Sequence, residues 1–208
     1  MRPPALIAAV AIVTAAVVAA PAGATSTRDA LIRPGIGIGK LHLGMTTAQA
    51  RAALTKPLLL TKQRRFGGFQ RYKWFTEFRT RDAEWIVSFY GERGRERVVR
   101  IETAVRGERT STGVGVGTLV SELPNKLRSL KPTCRKYTPW LNWQSSEPQL
   151  GVCAIEGPSV TTVFVGQAKC AVTPARYQGC PRVVMRVGSV FVEETELLRR
   201  LRLNRWWG

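Results

Sequence analysis

The chain has 208 residues, 44% of them hydrophobic and 22% charged, which is too little apolar content for a multi-span membrane protein. Lys and Arg number 32 against 14 Asp and Glu, a net charge of +18, and the only aspartates are Asp29 and Asp82. This disfavours carboxylate-rich calcium or magnesium sites, and the single histidine, His42, excludes a multi-histidine zinc site.

In chain order, Met1-Arg-Pro-Pro is followed by an apolar run, Ala5 to Ala20, and then by Pro21-Ala-Gly-Ala24. A basic start, a short apolar stretch and a small-residue ending are the parts of a secretory signal peptide. Cleavage is expected after Ala24, and the competing reading is an uncleaved N-terminal anchor. The mature protein is therefore expected to be secreted or extracytoplasmic, in the cell envelope. Residues 25–33 read as a linker.

Two glycine runs follow, Gly35-Ile-Gly-Ile-Gly39 and Gly113-Val-Gly-Val-Gly117, each leading into a helical pattern. In the first, Thr46 and Gln49 have capping-box spacing ahead of Thr47–Leu54. In the second, Leu119, Leu123, Leu127 and Leu130 recur at helical spacing, and Pro124 places the helix start near Ser121 or Glu122. After each helix comes a β pattern. In the first half it covers Phe69–Arg79, Ala83–Tyr90 and Arg95–Val105. In the second it covers Leu150–Ile155, Val160–Val165, Arg182–Val187 and Val190–Leu198, with Gly188-Ser189 as a two-residue hairpin turn.

The expected class is α+β: two tandem units, each with one or two short helices on one face of an antiparallel meander. The units span 34–108 and 109–198, the second with a disulfide-closed insertion at 170–180, and 199–208 is a basic tail carrying Trp206 and Trp207. The two units are expected to share a sheet or to pack together, because each alone has a thin core.

The four cysteines, Cys134, Cys153, Cys170 and Cys180, suit two disulfides in an exported chain. Three pairings exist. Cys134–Cys153 with Cys170–Cys180 is preferred because both close short loops, whereas a zinc site needs closer CxxC-type pairs.

The pattern Gly-x-Gly-x-Gly-x-x-x-Leu-Gly-Met-Thr-x-x-Gln at Gly35–Gln49, weaker at Gly113, resembles the tandem units of secreted β-lactamase inhibitory proteins. It is also similar to small outer-membrane assembly lipoproteins with the same helix-plus-sheet unit. The resemblance implies a protein-binding role. It carries over no inhibitory contact residue, and the second unit lacks the Leu-Gly-Met-Thr element.

Little points to catalysis. There is no Gly-x-Ser-x-Gly elbow and no Gly-x-x-x-x-Gly-Lys-Ser/Thr loop. The glycine runs lack the spacing and preceding strand of a dinucleotide loop. His42 reads as structural rather than as a base. No cofactor, metal or catalytic residue is expected, and a hydrolase with an unrecognised site is the minority reading.

The remaining lead is charge and strand alternation. Arg71, Lys73, Phe75, Tyr90 and Arg100 fall on the mixed polar–aromatic side of three adjacent strands, opposite the set containing Trp74 and Trp85. Together they are the expected partner-binding face, left open to water as one side of an antiparallel sheet can be. The expected partner is another extracytoplasmic protein. The alternative is an anionic cell-wall polymer, lipid or other polyanion, drawn by clusters such as Arg64-Arg65 and Arg93–Arg100. Export makes intracellular nucleic acid an unexpected partner.

Overall fold

A computed structural model describes residues 31–67, 72–134, 149–170 and 183–203. Of the described residues 49% are strand and 17% helical, a mostly antiparallel β architecture, and the α+β expectation is corrected. The helical signals are real but short. In α1 (Thr47–Ala53) the Thr46 hydroxyl accepts from the Gln49 N–H at 3.1 Å, and the Gln49 side chain accepts from the Thr46 N–H at 2.9 Å. That capping box starts the helix as the spacing predicts. The leucine series of the second half breaks into a 3-10 turn at Val120–Glu122, the four-residue α2 (Leu123–Lys126) and another 3-10 turn at Arg128–Leu130. Lys131 ends it in the left-handed region, with φ of 49°.

A small sheet comes first: β1 (Ile32–Arg33), β2 (Gly37–Ile38) and β3 (Leu41–His42). The large sheet contains β4 (Leu58–Phe66), β5 (Lys73–Thr80), β6 (Trp85–Gly91), β7 (Arg97–Thr103), β8 (Thr133–Cys134), β9 (Gln149–Glu156), β10 (Val160–Cys170) and β11 (Val183–Glu194). Its order is β4-β5-β6-β7-β11-β10-β9-β8, antiparallel throughout. The last strands of the two meanders meet in the middle, with Arg100 opposite Glu193 and Ile101 opposite Val192.

One local pattern occurs twice. Gly44 donates to Val98 O and Val98 donates back to Met45 O, while Gly117 donates to Val187 O and Val187 donates back to Thr118 O. In each final strand the next residue, Val99 or Gly188, is a bulge. Gly44 and Gly117 both have left-handed φ, 81° and 92°. The segments that share this pattern are Leu43–Thr46 and Val116–Leu119. Gly188-Ser189 is accordingly no hairpin turn: β11 runs straight through it, paired with β10 on both sides of the bulge.

The main core lies on one face of the sheet. Trp85, Val87, Phe89, Val98, Ile101 and Phe164 pack there against Ile32, Ile38 and Leu41 of the small sheet, Ala50 of α1, and Leu123 and Leu127. The opposite face was expected to be open and is covered in part. β11 ends at Glu194, short of the expected Leu198, and α3 (Thr195–Arg200) folds back so that Leu198 and Leu203 cluster with Phe75 and Val99. A further buried group on the sheet is Ala154, Val163, Val165 and Phe191.

Cys134 and Cys153 are bonded, as preferred from the spacing, and stand directly opposite each other on β8 and β9. The bond is compatible with an extracytoplasmic location. The Cys170–Cys180 pairing, the signal segment 1–24, Arg71 and the end of the tail lie outside the described residues. Among the described residues no helix is long and apolar enough to cross a membrane.

Candidate docking surface

The expected binding face divides into a buried part and an accessible rim. Phe75 is 2% exposed and Arg100 4%, so neither belongs to an open surface. Two features explain the difference. The α3 leucines cover Phe75. Arg100 is turned inward to Glu193, itself fully buried, whose Oε2 accepts from Arg100 Nε at 2.7 Å and also from Nη2. The Arg100 guanidinium also lies 5.3 Å from the centre of the Phe191 ring.

Alternation assigned the faces of β5 and β6 as found: Trp85, Val87 and Phe89 enter the main core, and Phe75 and Tyr90 the opposite side. In β7 the bulge at Val99 reverses it. Val98 joins the main core with Ile101, and Val99 packs with Phe75.

Lys73 and Tyr90 remain at the rim, and the structure brings them together. The Lys73 ammonium sits 5.8 Å from the Tyr90 ring centre. Phe75 is the register partner of Tyr90 beneath them. Phe66, which the sequence reading left out, and Arg64, which it placed only in a basic cluster, complete the group. Phe66 meets Tyr90 edge to face at 6.1 Å, and Arg64 lies 4.9 Å from the centre of the Phe66 ring. Burial pushes the Tyr90 phenol above its ordinary pKa, so it stays a neutral hydrogen-bonding group at the rim.

Arg64 and Phe66 belong to β4, which pairs only with β5 among the described strands and forms one edge of the large sheet. The strand was missed because its sequence, Leu58-Leu-Leu-Thr-Lys-Gln-Arg-Arg-Phe66, has no apolar alternation. Its side chains from Leu59 to Arg65 are exposed, so neither face needed to be apolar. The available signal was the run of strand-length spacing between Pro57 and Gly67-Gly68.

Leu59 and Leu60 are 47% and 56% exposed. Across β4 and β5 the cations are Lys62, Arg64, Arg65, Lys73 and Arg79, all exposed, against one acid, Glu77. Arg65 is held 4.3 Å from the Tyr72 ring centre. The rim thus offers aromatic surface, exposed cations and a strand edge unpaired among the described residues, a combination suited to recognition.

In the small sheet, Arg33 and His42 are committed to structure. Arg33 donates to His42 Nε2 and, at 2.8 Å, to Gly39 O. Burial, then the Arg33 charge, hold the His42 pKa below its ordinary value, leaving a neutral acceptor tied to the first hairpin. A cleft of about 540 Å³ lies between that hairpin and α3, lined by Ile36, Leu43, Val160, Glu194 and Leu197. Its cation Arg200 is paired with Glu196 at 3.3 Å. Comparison with known protein families, with curated proteins and with solved structures finds no match to this chain.

Proposed function

We propose that this protein is an exported, non-catalytic binding module, inhibitor-like or scaffolding in the envelope, that docks another extracytoplasmic protein through the Arg64–Phe66–Lys73–Tyr90 rim. The observation that carries the reading is the cation–aromatic cluster beside a strand edge left unpaired by the described residues. Tyr, Phe and Arg in such a setting are the residue types concentrated at interface centres. The resemblance of Leu43-Gly-Met-Thr46 to secreted inhibitory proteins supports a protein-binding role, and the Ala5–Ala20 run with Ala22-Gly-Ala24 supports export.

A second reading, binding of an anionic cell-wall polymer or lipid, is favoured by the excess of exposed cations on β4 and β5. Capture on the purified chain from the native envelope fraction, eluted stepwise in salt, tests both. A protein held through high salt and released by Tyr90→Ala supports the first reading. Capture of polyanion alone, lost by about 0.5 M salt, supports the second.

A further inference from the structure

Resting on the protein-binding reading, we infer that β4 receives its partner by strand addition, and that the partner segment is an extended acidic peptide with carboxylates in its N-terminal half and aliphatic residues in its C-terminal half. An edge strand presents a row of unpaired N–H and C=O groups, and an added strand satisfies them. β4 is nine residues long and runs along the outside of the sheet, with no described strand on its outer side.

The side chains select the partner. Strand addition places partner residues directly opposite Lys62, Arg64 and Arg65, where opposite charges attract and like charges repel. β4 contains no acid, so two copies paired antiparallel along the whole of β4 would set Lys62 against Lys62 and place Arg64 and Arg65 opposite Leu60 and Leu59, leaving all three cations without a carboxylate. A second copy therefore lacks the charges that complement this edge, and an acidic strand supplies them. The same cations, with the bulge at Thr61, protect the edge from indiscriminate pairing. A neutral strand would have to desolvate the three cations without compensation; an acidic one neutralises them.

Polarity follows from the sheet. Every strand pair in it is antiparallel among the described residues. A strand arriving antiparallel starts opposite Arg65 and Arg64 and ends opposite Leu60 and Leu59. Those two leucines are the large exposed apolar side chains of β4, and they are the natural contacts for the aliphatic end. Phe66 and Tyr90 flank the acidic end, where Arg64 is already oriented by the Phe66 ring.

The test is selection of displayed peptides about twelve residues long on the purified, oxidised chain, a length matched to β4 with short overhangs. Strand addition expects enrichment of sequences with acids before aliphatics, and loss of their binding by about tenfold or more in Lys62→Glu/Arg64→Glu. It also expects a similar loss when alternate peptide amides are N-methylated, which removes backbone donors and leaves the charges in place. Charge-reversed peptides should recover binding to the Lys62→Glu/Arg64→Glu variant. Peptides that lose affinity in Tyr90→Ala or Arg64→Glu but tolerate N-methylation on either set of alternate amides overturn strand addition and leave the rim as the docking surface. Selected peptides insensitive to every rim and β4 variant overturn both. A selection that enriches no acid-before-aliphatic sequence overturns the inference.

Discussion

The Arg100–Glu193 pair is the most informative place to perturb the fold, because it joins the two meanders across β7 and β11. Arg100 is 4% exposed and Glu193 is fully buried. Both Arg100 N–H groups bond one carboxylate oxygen, and the other, Oε1, has no hydrogen-bond partner among the described residues. Burial already pushes the Glu193 carboxyl above its ordinary pKa, and Arg100 opposes the shift by charge and hydrogen bonding. In Arg100→Met the opposing influences vanish while burial remains. Removing one partner of a buried pair costs about 3–5 kcal/mol, a large part of a typical domain's total stability. Replacing both by apolar side chains removes the uncompensated charge, so Arg100→Met/Glu193→Met should recover most of that loss. The loss should also depend on pH. A carboxyl whose folded pKa is raised contributes stability that is full below its unfolded pKa, near 4.5, and is lost as pH rises through the folded value. The Arg100→Met penalty should therefore be largest at neutral pH and shrink at pH 4. Urea denaturation of wild type, single and double variants at both pH values measures it. A single variant within about 1 kcal/mol of wild type at pH 7, or a double variant no better than the single, refutes the reasoning.

Four further outcomes follow from other sites. A Cβ at Gly115 would lie 2.0 Å from the Glu108 carbonyl oxygen, so Gly115→Ala should force the backbone at Gly115 away from Glu108 and lower the melting temperature well below that of a surface Gly→Ala control. Burial raises the Glu108 carboxyl from 4.5 to about 7, so its contribution is full below pH 4.5 and is lost as pH rises through 7. Glu108→Gln should remove a slope of up to about 3 kcal/mol from the stability–pH profile over that interval. Tyr90→Ala and Lys73→Ala should leave the denaturation midpoint nearly unchanged while weakening partner binding by about 1–2 kcal/mol each, read by calorimetric titration. Cys134→Ser/Cys153→Ser should cost roughly 3 kcal/mol on the chain-entropy account of a loop with separation 19, measured by denaturation under oxidising conditions.

Neighbouring residues settle among themselves whatever short-range geometry governs. Thr46 and Gln49 start α1 because their side chains reach each other's backbone within one turn. Trp85, Val87 and Phe89 enter the core because a strand turns alternate side chains to one face, and β6 has no irregularity before its partner's bulge. The Cys134–Cys153 choice likewise rested on a short loop. Whatever depends on a distant partner was settled only by packing. Val98 and Val99 are equally apolar, and only the pairing of β7 with β6 makes Val99 the bulged residue and reverses the face. Lys62–Arg65 form a strand because β5 offers a ladder, not because their side chains favour one. Whether the second sheet face stays open turned on where β11 stops. Val190–Leu198 reads as one continuous strand, and the change from strand to helix after Glu194 is stabilised by burying Leu198 against Phe75 and Val99, residues roughly a hundred positions earlier. Short-range geometry is written in adjacent residues, whereas face, edge and coverage come into being only when the sheet closes over them.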